Sequence, residues 1–195
     1  MTNLGPQYLS RDELRRFPFH FLGRNVLLHS RANLINIEAI SIGDNSRIDG
    51  DVTILGTGPV EIGRYVHIGA QCYLAGGGGI VLRDFSGLSQ GVRIYSVSDD
   101  YSGAHLTNPT VPREFLGLVS ERVVLGRHVI VGAGSVILPG VVIEDGCAVG
   151  ALSLVRRSTE PWGVYSGVPA VRRRERRRDL LELEARLCGA GKCDG

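Results

Sequence analysis

The chain has 195 residues, a formal net charge of +2 at pH 7, 43% hydrophobic but only 6% aromatic residues, and 27 glycines. That length allows one well-buried domain, and so small a net charge argues against a nucleic-acid protein. No run of eighteen apolar residues and no leader with a basic start and apolar middle is present, so no membrane insertion is expected and a cytoplasmic location is.

In chain order, the first signal is Ser10 followed three residues later by Glu13. This has the form of a capping box and predicts a short helix through Arg15 that Pro18 ends. Residues 1–21 are expected to cap the repetitive region that begins at residue 22.

From residue 22 to residue 155 one column of branched apolar residues recurs. Leu22, Leu28 and Leu34 are followed by Ile42, Ile48 and Ile54, then Ile62, Ile68 and Leu74, then Leu82, Leu88 and Ile94. The steps are six, six and eight, a period of twenty. After an interruption the column returns at Leu125, Val131, Ile137, Ile143, Val149 and Val155 with a pure six-residue step. A helix needs spacing near 3.6, so this self-similarity predicts a solenoid. Gly23, Gly43, Gly63, Gly69, Gly126, Gly132 and Gly150 directly follow column residues, where the chain turns and has no room for a side chain. Small or β-branched residues four places after the column, among them Val26, Ser46, Val66, Cys72, Val129, Ser135, Cys147 and Ser153, are expected to point inward. Each hexad is then one short strand and one corner, and three hexads make a triangular coil. Six coils stacked as parallel strands about 4.8 Å apart give a rod of roughly 29 Å.

Between Ile94 and Leu125 the step is 31 residues, so the solenoid ejects a loop at about 95–122. An excursion this long in a minimal repeat points to function. It carries Ser98, Asp99, Asp100, Tyr101, Ser102, Gly103, His105, Asn108 and Glu114, a dense set of proton-transfer and hydrogen-bonding groups.

Beyond the solenoid, which is expected to close near residue 169, residues 172–187 read as a charged helix with Leu180, Leu181, Leu183 and Leu187 on one face, followed by a flexible tail to 195. It is expected to cap the rod or to contact another copy. Arg172, Arg173, Arg174, Arg176, Arg177 and Arg178 form a basic cluster, read first as a solvated helix face, with phosphate contact by one or two of them as the alternative. Cys72 and Cys147 sit at inward positions, and Cys188 and Cys193 lack metal-ligand spacing.

The hexads resemble the hexapeptide-repeat acyltransferases, and the resemblance implies an all-β fold, a left-handed parallel β-helix. The handedness comes from the resemblance alone, because the usual crossover preference is the opposite. Over residues 40–174 the pattern is most similar to the maltose and galactoside O-acetyltransferases. It is carried by the run from Leu125 through Gly126, Arg127, His128 and Val129 to Gly132 and Ala133, by Pro139-Gly140-Val141 and Gly150-Ala151-Leu152-Ser153, and by Gly167-Val168-Pro169. The resemblance implies a homotrimer that binds acetyl-CoA in a cleft between subunits, with no metal, and transfers the acetyl group directly to a sugar hydroxyl. Ala133 and Ala151 fall where the family holds the pantetheine arm, and Arg156, Arg157 and Arg174 fall near the CoA tail. Two positions depart from the pattern: Ile130 replaces a tryptophan, and the glycines at 76–79 replace a corner with an asparagine near the acceptor.

The family's catalytic histidine is replaced by Asp99. Direct transfer needs a group that removes the acceptor proton and a donor for the oxyanion. An unperturbed aspartate is about 2.6 pKa units more acidic than histidine. His105 is therefore the preferred base, with Asp99 or Asp100 orienting its ring, and Tyr101 and Asn108 as acceptor contacts. O-acetylation of a sugar in envelope or exopolysaccharide synthesis is the first expectation. N-acylation of a nucleotide-linked amino sugar and acetylation of an antibiotic are the alternatives, and a non-catalytic scaffold is a third class. A zinc enzyme like the γ-class carbonic anhydrases would need a close histidine pair that the sequence lacks.

Overall fold

The computed structural model describes residues 7–190 of the chain. It is a parallel β-helix with three faces, as the repeat implied, and left-handed, as the resemblance implied. The first face stacks Phe21–Leu22, Ile40–Ile42, Val60–Ile62, Ile80–Leu82, Val123–Leu125 and Val142–Ile143. The second stacks Leu27–Leu28, Arg47–Ile48, His67–Ile68, Gly87–Leu88, Ile130–Val131, Ala148–Val149 and Gly163–Ser166. The third stacks Asn33–Ile35, Thr53–Leu55, Tyr73–Ala75, Arg93–Tyr95, Val136–Ile137 and Leu154–Val155.

Register follows the column. Leu22, Ile42, Ile62, Leu82, Leu125 and Ile143 lie one above another. So do Leu28, Ile48, Ile68, Leu88, Val131 and Val149. The third ladder runs Leu34, Ile54, Leu74, Ile94, Ile137 and Val155. Most of these side chains are fully buried. Polar residues that point inward are tied to backbone: Ser46 Oγ donates to the Gly63 carbonyl at 2.8 Å and accepts from Val66 N at 3.1 Å. Ser135 Oγ donates to the Gly150 carbonyl at 3.0 Å. Cys72 and Cys147 are buried free thiols, and burial pushes the Cys72 thiol up to about 11.

The capping box forms at the start of α1 (Arg11–Leu14): Glu13 N donates to Ser10 Oγ and Ser10 N to Glu13 Oε2. Leu14 from this helix joins the core. At the other end the structure corrects the expected helix over residues 172–187. Val171–Glu175 is a strand, folded antiparallel onto Gly163–Ser166, and α2 begins only at Leu180 and ends at Gly189. The open edge of Gly163–Ser166 leaves backbone groups unpaired, and pairing them outweighs the modest helix preference of arginine. Arg176 then donates to the carbonyls of His128, Gly146 and Cys147 at 2.6, 3.0 and 3.2 Å, and Glu184 of α2 bonds His128 Nε2 at 2.7 Å. The expected tail, including Cys193, lies outside the described residues.

The excursion leaves and rejoins the rod through a short antiparallel pair, Val97–Ser98 with Val119–Ser120, closed by Glu121 N donating to the Ser96 carbonyl at 2.9 Å. Among the described residues no helix is long and apolar enough to cross a membrane.

A Cβ on Gly43 would lie 2.6 Å from the Gly63 carbonyl carbon in the next coil. Gly43→Ala is therefore expected to force two coils apart and cost about 1–3 kcal/mol, as in other overpacked cores. Urea denaturation would show a lower midpoint at unchanged slope, and an unchanged midpoint would contradict the close-approach account.

Candidate functional site

The loop gathers four of the predicted residues into two pairs. Asp100 is a hub: Oδ1 accepts from Ser102 N at 2.7 Å, while Oδ2 accepts from Ser102 Oγ at 2.9 Å, His105 N at 3.1 Å and faces His105 Nδ1 at 3.0 Å. The His105 ring lies against Gly117, where a Cβ would meet Nδ1 at 2.3 Å. With Nδ1 turned to the carboxylate, Nε2 is the nitrogen left to act on another group. The Ser102 side chain and backbone, and then His105, hold the Asp100 carboxyl well below the usual carboxylate range.

Asp99 forms the second pair with Asn108, whose backbone N–H donates to Oδ1 at 3.3 Å. Both line a cavity of about 630 Å³ with Val97, Arg113, Leu116 and Leu118. Asn108 spends its side-chain oxygen on its own turn, accepting from Thr110 N at 3.0 Å. Tyr101 stands apart, 93% exposed. Residues 101–110 are all exposed, and Leu106, Phe115, Leu118 and Val119 present apolar surface to solvent.

The residues expected at CoA lie on the rod. Ala133 and Ala151 occupy successive coils at the corner between the second and third faces, where Leu152 N donates to the Ala133 carbonyl at 2.9 Å. Arg156 and Arg157 follow the last strand of the third face, and Arg174 sits on the edge strand of the second. All three are exposed, and none forms an ion pair among the described residues. A larger cavity, about 670 Å³, lies outside the first face along Phe21, Ser41, Glu61 and Val81 and holds none of the predicted residues.

Two groups went unnoticed in the sequence. Asp49 bonds His67 Nε2 at 2.8 Å, a further histidine–carboxylate pair, on the second face. Ser89 stands at the same corner as Ala133, one coil below. The signal was there: that corner column reads His29, Asp49, Gly69, Ser89, Gly132, Gly150, so Asp49 and Ser89, with His29 in the first coil, are breaks in a glycine pattern. His128 performs turn duty, with φ at 58° and its ring stacked on Phe85.

Comparison with known proteins adds to this geometry. A family model described as bacterial transferase hexapeptide (six repeats) matches residues 122–157. The dTDP-4-amino-4,6-dideoxy-D-glucose acyltransferase of Escherichia coli is 39% identical over 179 residues, 91% of this chain and 93% of that protein. The structure of AntD, an N-acyltransferase from Bacillus cereus in complex with dTDP-4-amino-4,6-dideoxyglucose and coenzyme A, superposes with a TM-score of 0.91 at 38% identity, over 95% of this chain and 100% of that one. A maltose O-acetyltransferase from Clostridium difficile superposes with a TM-score of 0.57 at 22% identity, over 86% and 74%, a likeness of fold alone.

Because the Asp100 carboxyl is depressed when folded, its loop contacts are complete above an ordinary aspartate pKa and are lost only as pH falls through the lowered value. The amide resonances of Ser102 and His105 should therefore hold their positions below about pH 4, where a free aspartate is half protonated. Movement of both amides with a midpoint in the ordinary range would show that the hub does not form.

Proposed function

The chain belongs to the hexapeptide-repeat acyltransferases and is a CoA-dependent acyltransferase, and from that premise we propose that it N-acylates an amino sugar carried on a nucleoside diphosphate. The observation that carries this reading is the 39% identity, over nearly the whole of both chains, to an enzyme named for such an acceptor. Transfer of an acyl group from CoA to a sugar is supported by the relatives that match over most of both chains. The expected O-acetylation gives way, because the maltose O-acetyltransferase likeness rests on 22% identity and on fold, and the 40% identity to an Escherichia coli protein named as a lipopolysaccharide biosynthesis O-acetyl transferase covers only a third of each chain.

The chemistry agrees. A sugar hydroxyl needs a strong base as it attacks, whereas a neutral amine brings its own lone pair to the thioester carbonyl. The replacement of the family's histidine by Asp99 removes the stronger base and leaves a carboxylate suited to hold an amine. A second observation supports Asp99. The Bacillus cereus enzyme has been solved with substitutions at a serine and at an aspartate ten residues further on. That enzyme matches over its full length, so the two numberings differ by only a few residues. Within that window Ser89 and Asp99 are the one such pair in this chain. We therefore assign Asp99 to the amine and Ser89 to the reacting centre, and leave His105 with Asp100 to shape the loop. Ala133, Ala151, Arg156, Arg157 and Arg174 remain our candidates for CoA. Acetyl-CoA is the simplest donor, with hydroxyacyl-CoA as the alternative.

The exposed apolar residues of the excursion support a homotrimer in which each loop meets a neighbouring copy. Light scattering should give three times the 21.0 kDa chain mass.

Free thiol release from acetyl-CoA or 3-hydroxybutyryl-CoA should be at least about 100-fold more efficient in kcat/KM with a dTDP-linked 4-amino sugar than with maltose, as expected where a site built for one polar group meets another. Equal or better turnover of maltose would restore the O-acetyltransferase reading. Asp99→Asn should lower kcat by about 100-fold or more, the usual scale for a proton-handling group, and His105→Ala by much less. The opposite order would return the base to His105.

A further inference from the structure

Next to the Ser89 corner is a polar cluster that the transfer chemistry leaves unused. On the outer side of the second face, Leu27, Arg47, His67, Gly87 and Ile130 follow one another in register, one per coil. Asp49, just past Ile48, is the hub: it bonds His67 Nε2 at 2.8 Å, Arg47 Nε at 2.6 Å and Tyr8 OH at 3.1 Å. The Asp49 side chain is only 16% exposed, while those of Arg47 and His67 are 49% and 50% exposed. One shielded carboxylate thus fixes two nitrogen-bearing heads that look outward.

The position directly above His67 is Gly87. A Cβ built there would find a single neighbour, the His67 carbonyl oxygen, at 3.9 Å, so the face has an open notch between the imidazole and Ile130. Charge sets what the notch accepts. Asp49 cancels Arg47, Tyr8 is neutral, and protonation of His67 leaves one positive charge at the notch. Position sets which anion. Ser89 lies one coil up and two residues along from His67, about 8 Å away at 4.8 Å per coil and 3.3 Å per residue. An acceptor with its amine at Ser89 and its sugar ring lying down the rod brings its glycosidic diphosphate to His67.

We infer that His67 and Arg47 bind the diphosphate of the nucleotide-linked acceptor in the Gly87 notch, with Asp49 as the positioning residue that aims both. This rests on the N-acylation reading. The cluster also ties residue 8 to the rod, but that tie runs from Tyr8 to Asp49 and does not involve His67.

The test compares a dTDP-linked amino sugar with the methyl glycoside of the same amino sugar, which lacks the nucleotide. His67→Gln should raise KM for the nucleotide-linked acceptor about tenfold, the worth of one hydrogen bond to a charged group. Its kcat should stay within about twofold, and KM for the glycoside and for acyl-CoA should not move. His67→Lys should recover most of the loss, because it restores the charge, and Asp49→Asn should behave like His67→Gln. Equal effects on both acceptors, or none on either, would overturn the inference. Calorimetric binding of dTDP alone separates this from the functional reading. A tenfold weaker dTDP affinity in His67→Gln upholds the site even if the amino sugar is not turned over, and an unchanged affinity refutes it even if it is.

Discussion

The molecule depends on one constraint, the in-register stacking of short parallel strands so close that corners can hold no side chain between them. Gly43 faces Gly63, Gly126 faces Asp145 and Gly132 faces Ala151, and in each case an added Cβ would come within 2.4–2.6 Å of the neighbouring coil. The inward ladders of leucine, isoleucine and valine supply the attraction that the glycines make room for, at roughly 25 cal/mol per Å² of apolar surface removed from water. A slip of one residue would turn every ladder residue outward, so the register has no near competitor. The consequence for function is geometric: any outward residue recurs at a fixed height, and a binding surface is written as a vertical line of side chains, one per coil.

That line has a cost at the corners. Asn25, Asn45, Tyr65, Phe85 and His128 all adopt left-handed backbone, with φ between 55° and 60°. Asparagine tolerates this, but for the larger residues it costs about 1–2 kcal/mol each. The strain is offset locally. Tyr65 stacks on Phe85 at 5.0 Å and Phe85 on His128 at 5.1 Å, and such pairs are worth about 0.5–1.5 kcal/mol beyond their burial. His128 in turn meets Glu184, so the same aromatic column anchors α2. The edge of the rod is thus a structural spine, and chemistry is placed elsewhere.

The excursion obeys different rules. It has almost no buried surface, so its shape comes from polar bonds within itself, chiefly the four donors gathered by Asp100 and the smaller turn around Asn108. A loop held this way keeps its internal geometry while its outer apolar residues stay available to another surface. The rod offers the complementary part, a rigid corner carrying Ser89, Ala133 and Ala151, with the Asp49 cluster below. A mobile acceptor and a long CoA arm need both kinds of wall.

The repeat, the faces, the inward residues, the glycine corners, the N-terminal capping box and the ejected loop were legible in the sequence, because each follows from local spacing that a fixed period repeats. The pairing of His105 with a neighbouring aspartate was legible for the same reason, five residues being within reach of a turn. Which aspartate it chose was not, since that depended on Ser102 completing the hub. The sequence also could not show that residues 171–175 would be a strand, because the deciding partner is the unpaired edge of Gly163–Ser166 rather than anything in their own composition. His67 and Asp49 are eighteen residues apart and meet only because a coil is about that long. Periodic burial is a property of the chain read along itself. Contacts between coils, and the charge they assemble on one face, exist only once the turns have been stacked.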